Sequence, residues 1–292
     1  MASTWILLSL VSAFTLAASD ALTKKALTGN NEYLVAWCRL LFSVPLLAIL
    51  WIFVPIPDLD TGFYQAFLLA MPLEILAMVF YIKALKASPL SLTLPFLSLT
   101  PVFLIGISYV MLGEKVSLQG AAGIFLIAAG GYMLNIHTVR KGFLEPFRAV
   151  TRERGSVFMI LVALIYSVTS SLGKMAIEHS SPLFFGITYF ITLTIVFTPI
   201  ALIAGRKDAG VFIVQKRYTG LFAPGLFYAV MIASHMIAIS LTKVAYMISI
   251  KRMSVIIGVI FGYYLFMERN IRERLAGAFL MFSGFALIVT AS

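Results

Sequence analysis

The chain has 292 residues, 61% hydrophobic and only 12% charged, with a formal charge of +10 and a mean hydropathy of +1.00. A soluble domain carries roughly 25% charged residues, so the composition excludes a water-soluble globular protein and predicts an all-α integral membrane protein. The positive excess lies on no soluble amphipathic stretch and is not interleaved with exposed aromatics, which argues against nucleic acid as a partner.

A hydrocarbon core of about 30 Å takes roughly 20 apolar residues per helix. Apolar runs between charged, Pro or Gly breaks give ten spans, beginning near Thr4, Tyr33, Gly62, Leu90, Leu118, Ser156, Leu183, Thr219, Met247 and Leu275. The first, WILLSLVSAFTLAASDAL, has no positive n-region and an equivalent later in the chain, so it reads as a mature helix rather than a signal peptide. It carries Asp20 near its end, with Ser19 and Thr23 close by. Span 2 carries Arg39 and Cys38; a single cysteine excludes an intramolecular disulfide, and Cys38 reads as packing. Asp20 and Arg39 both lie toward the same membrane face. An ion pair between them is the simpler reading, against a coupling role for Asp20 and a substrate role for Arg39.

Span 3, read through LLAMPLEILAMVFY, places Glu74 near its middle, with Pro72 predicting a kink two residues earlier. A midplane carboxylate is protonated, paired, or part of a proton or substrate pathway, so Glu74 is a candidate coupling residue.

The long loop from Val139 to Gly155 divides the chain into similar halves, 1–138 and 156–292, joined by a basic linker at 139–155. GEKVSLQGAAGIFLIAAGGYML matches MERNIRERLAGAFLMFSGFALI at a spacing of 154, pairing Glu114 with Glu268, Gly123 with Gly277 and Gly130 with Gly284. ALTKKAL matches SLGKMAI at a spacing of 150, pairing Lys24 with Lys174. Five spans per half is odd, so the second half enters the membrane in the opposite sense, as an inverted repeat. The loops after spans 1, 3, 5, 7 and 9 hold 16 of the 22 Lys and Arg residues, which predicts a cytoplasmic central loop and both termini outside.

Three cations, Lys243, Lys251 and Arg252, stand at the entrance to span 9 within LTKVAYMISIKRMSV. In one reading Lys243 and Lys251 snorkel to the outer headgroups and Arg252 pairs with a neighbour. In the other, the cluster walls an aqueous cavity and holds a phosphate or carboxylate. His235, two turns before Lys243, reads as hydrogen-bonded packing or as a proton carrier beside that cluster. Tyr81, Tyr166, Tyr189, Tyr228, Tyr246, Tyr263 and Tyr264 line a cavity or form interfacial belts. Gly258 and Gly262 form a G-x-x-x-G read first as bundle packing, with a homodimer contact as the alternative to a monomer. No phosphate loop, metal-ligand spacing or nucleophile elbow occurs, so neither an enzyme nor a cofactor is expected.

The ten spans in two inverted halves, with LTPVFLIGISYVMLGEK and GAAGIFLIAAGGYML repeated as MSVIIGVIFGYYLFMER and LAGAFLMFSGFALI, resemble the EamA-type transporters of the drug/metabolite transporter superfamily. DALTKKAL and Arg39 in AWCRLLFSVP extend the resemblance. It implies secondary transport by alternating access, with a cavity between spans 1–4 and 6–9 and spans 5 and 10 packed behind it, in a multi-pass cell (inner) membrane protein. The second half departs from the first in placing the two cations of ISIKRMSVI where the first has LPFLSLTPVF. The expected partner is therefore a small anionic or phosphorylated metabolite. A flippase for a polyprenyl-phosphate or similar lipid is the alternative, and an exporter of neutral or cationic compounds with structural basic residues the third reading. Membrane lipids are the remaining expected partner.

Overall fold

A computed structural model of the chain describes residues 2–88, 94–134, 154–266 and 275–291, all of whose regular structure is helical. Most of the basic linker, and Glu268 with Arg269, Arg272 and Arg274, lie outside the described residues. Seven helices are long and apolar enough to cross a membrane, and three shorter apolar ones, Phe96–Leu112, Leu118–Met133 and Ala276–Ala291, bring the spans to ten.

Local signals set the helix ends. Span 2 (Glu32–Trp51), span 3 (Thr61–Ala87), span 5 (Leu118–Met133) and span 7 (Pro182–Gly205) start after Asn31, Asp60, Ser117 and Ser181, whose side chains each accept a first-turn N–H. Pro182 occupies the first turn of span 7, where a missing N–H costs nothing. Gly113 ends span 4 at φ 68°, a left-handed turn that a side chain disfavours. Span 1 covers Ala2–Leu27, span 6 Arg154–Glu178, span 8 Phe222–Ser240 and span 10 Leu275–Ala291. A short helix at Ala209–Val214 and a 3₁₀ turn at Arg217–Leu221 occupy the connection before span 8, which the apolar pattern alone starts at Thr219.

Span 3 is one α-helix with Pro72 inside it, and interruptions fall in spans 4 and 9. Span 4 is a 3₁₀ segment at Leu94–Leu99 followed by an α-helix at Thr100–Leu112, with Pro101 in its first turn. Span 9 is a helix at Val244–Lys251, a tight turn at Arg252 and Met253, and a helix at Ser254–Phe266. At the repeat spacing of 154, Thr100 corresponds to Ser254, so both breaks fall at the same repeat position.

The loops sort by end as an inverted repeat requires. At the basic end, Arg217 donates to the Gly29 carbonyl (2.8 Å) and Asn30 Oδ1 (3.0 Å), and Asn31 donates to Asp208 (2.9 Å). At the opposite end, His179 Nδ1 lies 2.7 Å from Asp60 Oδ2. The N–H of Phe63 and then His179 hold the Asp60 carboxyl below the usual carboxylate range.

Each half finds its largest interfaces in the other: span 3 on 6, span 8 on 1, span 2 on 7 and span 5 on 10. The last pair is built on glycine. A Cβ on Gly123 would lie 2.7 Å from the Gly284 carbonyl oxygen, and one on Gly284 2.5 Å from that of Gly123; Gly130 and Gly277 face each other in the same way, at 2.5 and 2.6 Å. Since Gly123 corresponds to Gly277 and Gly130 to Gly284, the two contacts are images across a pseudo-twofold axis. Backbones this close gain dispersion and Cα–H···O contacts that larger side chains would prevent.

Gly130→Val should lower the apparent Tm in detergent, because the added carbon meets backbone rather than a flexible side chain, a strain of at least about 1–3 kcal/mol. Gly106→Ala, where a Cβ meets nothing within 4 Å, should leave Tm unchanged or raise it slightly.

Candidate functional site

At the basic end, four spans are joined around one buried ion pair. Arg39 Nη1 lies 3.0 Å from Asp20 Oδ1, both side chains 3% exposed. The Tyr81 hydroxyl donates to the other carboxylate oxygen, and the Arg39 guanidinium stands 4.4 Å from the centroid of the Tyr228 ring. Ser19 Oγ donates to the Pro224 carbonyl at 2.9 Å, tying span 1 to the start of span 8. The sequence-level ion pair is thus present. Asp20 serves Arg39 from behind and is not part of the cavity wall, whereas Arg39 reaches that wall.

The two repeat-related lysines hold the two ends. Lys24 Nζ donates to the carbonyls of Leu85 and Ser88 at the end of span 3. Lys174 Nζ donates to the Thr242 carbonyl (2.6 Å) after span 8 and to Glu114 Oε1 (2.7 Å). Glu114 Oε2 in turn accepts the Val244 N–H (2.9 Å), capping the first segment of span 9 with negative charge, where the helix dipole favours it. Lys24 and Lys174 therefore make the same contact, first helix to the end of the third, at opposite membrane faces.

Between these ends lies a cavity in the interior of the bundle. Its wall reaches Ile239, next to the last residue of span 8, and Phe185 near the start of span 7. On the basic side it stops at Arg39, Tyr81 and Tyr228, about two turns short of that face. It is therefore sealed toward the basic end and extends toward the other.

Arg39, Glu74, His235, Lys251 and Arg252 share this cavity. The snorkelling expectation for Lys251 does not hold: Lys251 is 9% exposed and Arg252 3%. Lys251 closes the first segment of span 9, seven residues or about 10 Å from its start. Its ammonium faces Nδ1 of His235 (3.1 Å) and Sδ of Met231 (3.3 Å) rather than headgroups. Arg252 Nη2 donates to Thr100 Oγ1 (2.9 Å), joining the two helix breaks across the halves. Its Nε is buried with no partner among the described residues, as is that of Arg39. Lys243 does not join the cluster. It precedes span 9 and lies 5.3 Å from the Tyr246 ring centroid, outside the cavity wall.

Glu74 is half-buried at the centre of span 3 and faces the cavity with Thr169 on its wall. The tyrosines divide. Tyr81, Tyr166, Tyr189 and Tyr228 line the cavity; Tyr263 and Tyr264 are exposed near the end of span 9; Tyr246 is buried with its hydroxyl 3.0 Å from Ser117 Oγ. Phe185 and Phe190 complete the aromatic wall, with Tyr189 at ring-centroid distances of 5.1 and 5.6 Å from them. Neither phenylalanine is distinguishable in sequence from its neighbours in FFGITYFIT. Thr100 also carried no sequence signal beyond its position before Pro101. Gly258 packs within the bundle, where a Cβ would meet Leu94 at 3.0 Å.

A ten-span inverted repeat enclosing a central cavity whose wall carries several ionisable residues is the architecture of a membrane transporter. The model of the EamA-like transporter family matches residues 3–136 and again 153–290, once per half, and the chain belongs to that family. One solved structure, described only as "Crystal structure of protein", superposes with a TM-score of 0.71 at 13% identity, covering 98% of this chain and 96% of that one. That likeness concerns the fold. No curated protein matches the chain.

Breaking the basic-end pair should be costly because it strands a buried charge. Asp20→Asn should destabilise the protein by about 3–5 kcal/mol, read as a fall in apparent Tm, and Arg39→Met in the same chain should recover much of the loss.

Proposed function

We propose that this transporter carries a small organic anion by alternating access, with Lys251 and Arg252 as the groups that meet its phosphate or carboxylate. The observation that carries the reading is that both cations are buried on the cavity wall and neither has a carboxylate within 4.0 Å among the described residues. Buried cations without a carboxylate counterion are costly, and an anion arriving in the cavity supplies one. Arg252 uses one terminal nitrogen on Thr100 and the Lys251 ammonium has donors beyond those used, so a carboxylate or phosphate could be met by more than one charge-assisted hydrogen bond.

The basic end is taken as cytoplasmic on the Lys and Arg count, which makes this the outward-open state of an inner-membrane protein. Passage to the inward-open state then requires the Asp20–Arg39–Tyr81 seal to part as the cavity closes around Ile239 and Phe185. Glu74 is the candidate for proton coupling, being the carboxylate on the wall without a basic partner within 4.0 Å among the described residues. The lipid-phosphate alternative loses one of its groups: Lys243, which would have caught the headgroup together with Lys251 and Arg252, lies outside the cavity wall.

Thermal stabilisation by a panel of phosphorylated, carboxylated and neutral solutes tests the reading, since a ligand of the native state raises Tm with the logarithm of its concentration over Kd. Anions should stabilise the wild type. Arg252→Gln and Lys251→Gln should each weaken them at least about tenfold, as expected for loss of a charged hydrogen bond of about 1.5–3 kcal/mol. Neutral solutes that stabilise all three proteins equally would reject it.

A further inference from the structure

We infer that the connection between spans 7 and 8 is a docking surface for the headgroups of anionic phospholipids in the leaflet at the basic end. Span 7 has 24 residues, about 36 Å of helix, enough to carry its last turn out of a hydrocarbon core of about 30 Å. The chain then reads RKDAGVFIVQKR over residues 206–217. Its short helix, Ala209–Val214, buries Phe212 in the bundle. Val211, Ile213 and Val214 are instead 50%, 63% and 82% exposed, an arrangement that water disfavours. They continue the exposed apolar band formed by Leu202 and Ile203 at the end of span 7 and by Phe222 at the start of span 8. The helix therefore lies at the boundary between headgroups and acyl chains.

Charge chooses the headgroup. Arg206 and Lys207 precede the helix, Lys216 and Arg217 follow it, and Asp208 is the one acidic residue in the stretch. Asp208 is engaged by Asn31, and Arg217 by Gln215, the Gly29 carbonyl and Asn30. Arg206, Lys207 and Lys216 are exposed and in no ion pair within 4.0 Å among the described residues. Other cations at the same end do have protein partners: Lys86 pairs with Glu32, and the Lys83 ammonium stands 5.6 Å from the Tyr33 ring centroid. Cations on both flanks of an exposed apolar turn fit a molecule that brings a phosphate and acyl chains together. A soluble anion would leave Ile213 and Val214 uncovered. The bonds from Asn31 and Arg217 also fasten both flanks of the helix to the connection between spans 1 and 2, so a lipid held here braces the ends of the two spans that carry Asp20 and Arg39.

The test is thermal stabilisation of the detergent-purified full chain, titrated with dioleoyl-phosphatidylglycerol, with dioleoyl-phosphatidylcholine and with glycerol 3-phosphate, a phosphate without acyl chains. The anionic lipid should bind about tenfold or more tightly than the zwitterionic one. The triple variant Arg206→Gln, Lys207→Gln, Lys216→Gln should bring that ratio close to one, and Lys83→Gln with Lys86→Gln should leave it unchanged. Ile213→Ser with Val214→Ser should weaken both lipids. All of these positions but Lys83 are exposed or at the rim of the fold, so a monodisperse elution profile and an unchanged lipid-free Tm are expected of the triple variant; raising NaCl to about 0.5 M should shrink the preference in the wild type and tests the same charges without any substitution. Equal binding of the two lipids, a preference that survives the triple variant or high salt, or an equal loss on neutralising Lys83 and Lys86 would overturn the inference. So would glycerol 3-phosphate matching the anionic lipid and losing its effect in the triple variant, which would mark a site for free anions. Stabilisation by glycerol 3-phosphate that is the same in wild type and triple variant belongs to the cavity, so the fate of the anion reading is decided separately.

Discussion

Moving an ion from water into a bilayer costs several kcal/mol even after relaxation, yet Asp20, Arg39, Glu74, His235, Lys251 and Arg252 all lie inside membrane spans. The structure handles them in two ways. Asp20 and Arg39 compensate each other, with Tyr81 and Tyr228 completing their surroundings, and the result closes the basic end. Lys251, Arg252 and Glu74 face a common space without compensating one another through ion pairs. On the function proposed above, the first cluster is a seal and the second a site, because the first contains its own counterion and the second does not.

What keeps the second cluster open is the rigidity around it. Spans 5 and 10 meet glycine to backbone at two positions related by the repeat, so they form a close-packed pair at the back of the bundle. Lys24 and Lys174 fasten the first helix of each half to the end of its third. The frame obeys the pseudo-symmetry and the site violates it. Leu97 and Ser98 stand in the first half where Lys251 and Arg252 stand in the second, and Leu97 and Lys251 both line the cavity. A symmetric frame can present nearly equivalent openings to the two faces, and the proposed function assigns the asymmetric charge to the binding site.

The breaks in spans 4 and 9 put that charge where it is. Arg252 closes the first segment of span 9, where its N–H bonds to both Ile248 (3.0 Å) and Ser249 (3.1 Å), and the tightened turn sets its side chain toward Thr100 across the halves. Apolar periodicity does not register such a break. ISIKRMSVI has no proline or glycine, and apolar residues flank the break on both sides. The same sequence reads as a continuous helix with a lysine near its end, which is why a snorkelling Lys251 was a reasonable expectation.

The sequence by itself determined the ten spans, their division into inverted halves and the unusual presence of ionisable residues within them. Each of these is a matter of composition along the chain, which hydrocarbon enforces residue by residue. It also favoured the Asp20–Arg39 pair over separate roles for the two residues, because two charges of opposite sign at similar depth on consecutive helices have few cheaper partners. Only the tertiary structure decided that Lys251 turns to His235, that Lys243 stays outside, and that Glu74 and an aromatic wall from spans 6 to 8 share one cavity with the cations. Those facts depend on which faces of helices from opposite halves meet. That choice is made by packing, by glycines that admit a backbone and by a turn that redirects a side chain, and none of these is encoded at one position or at a fixed spacing.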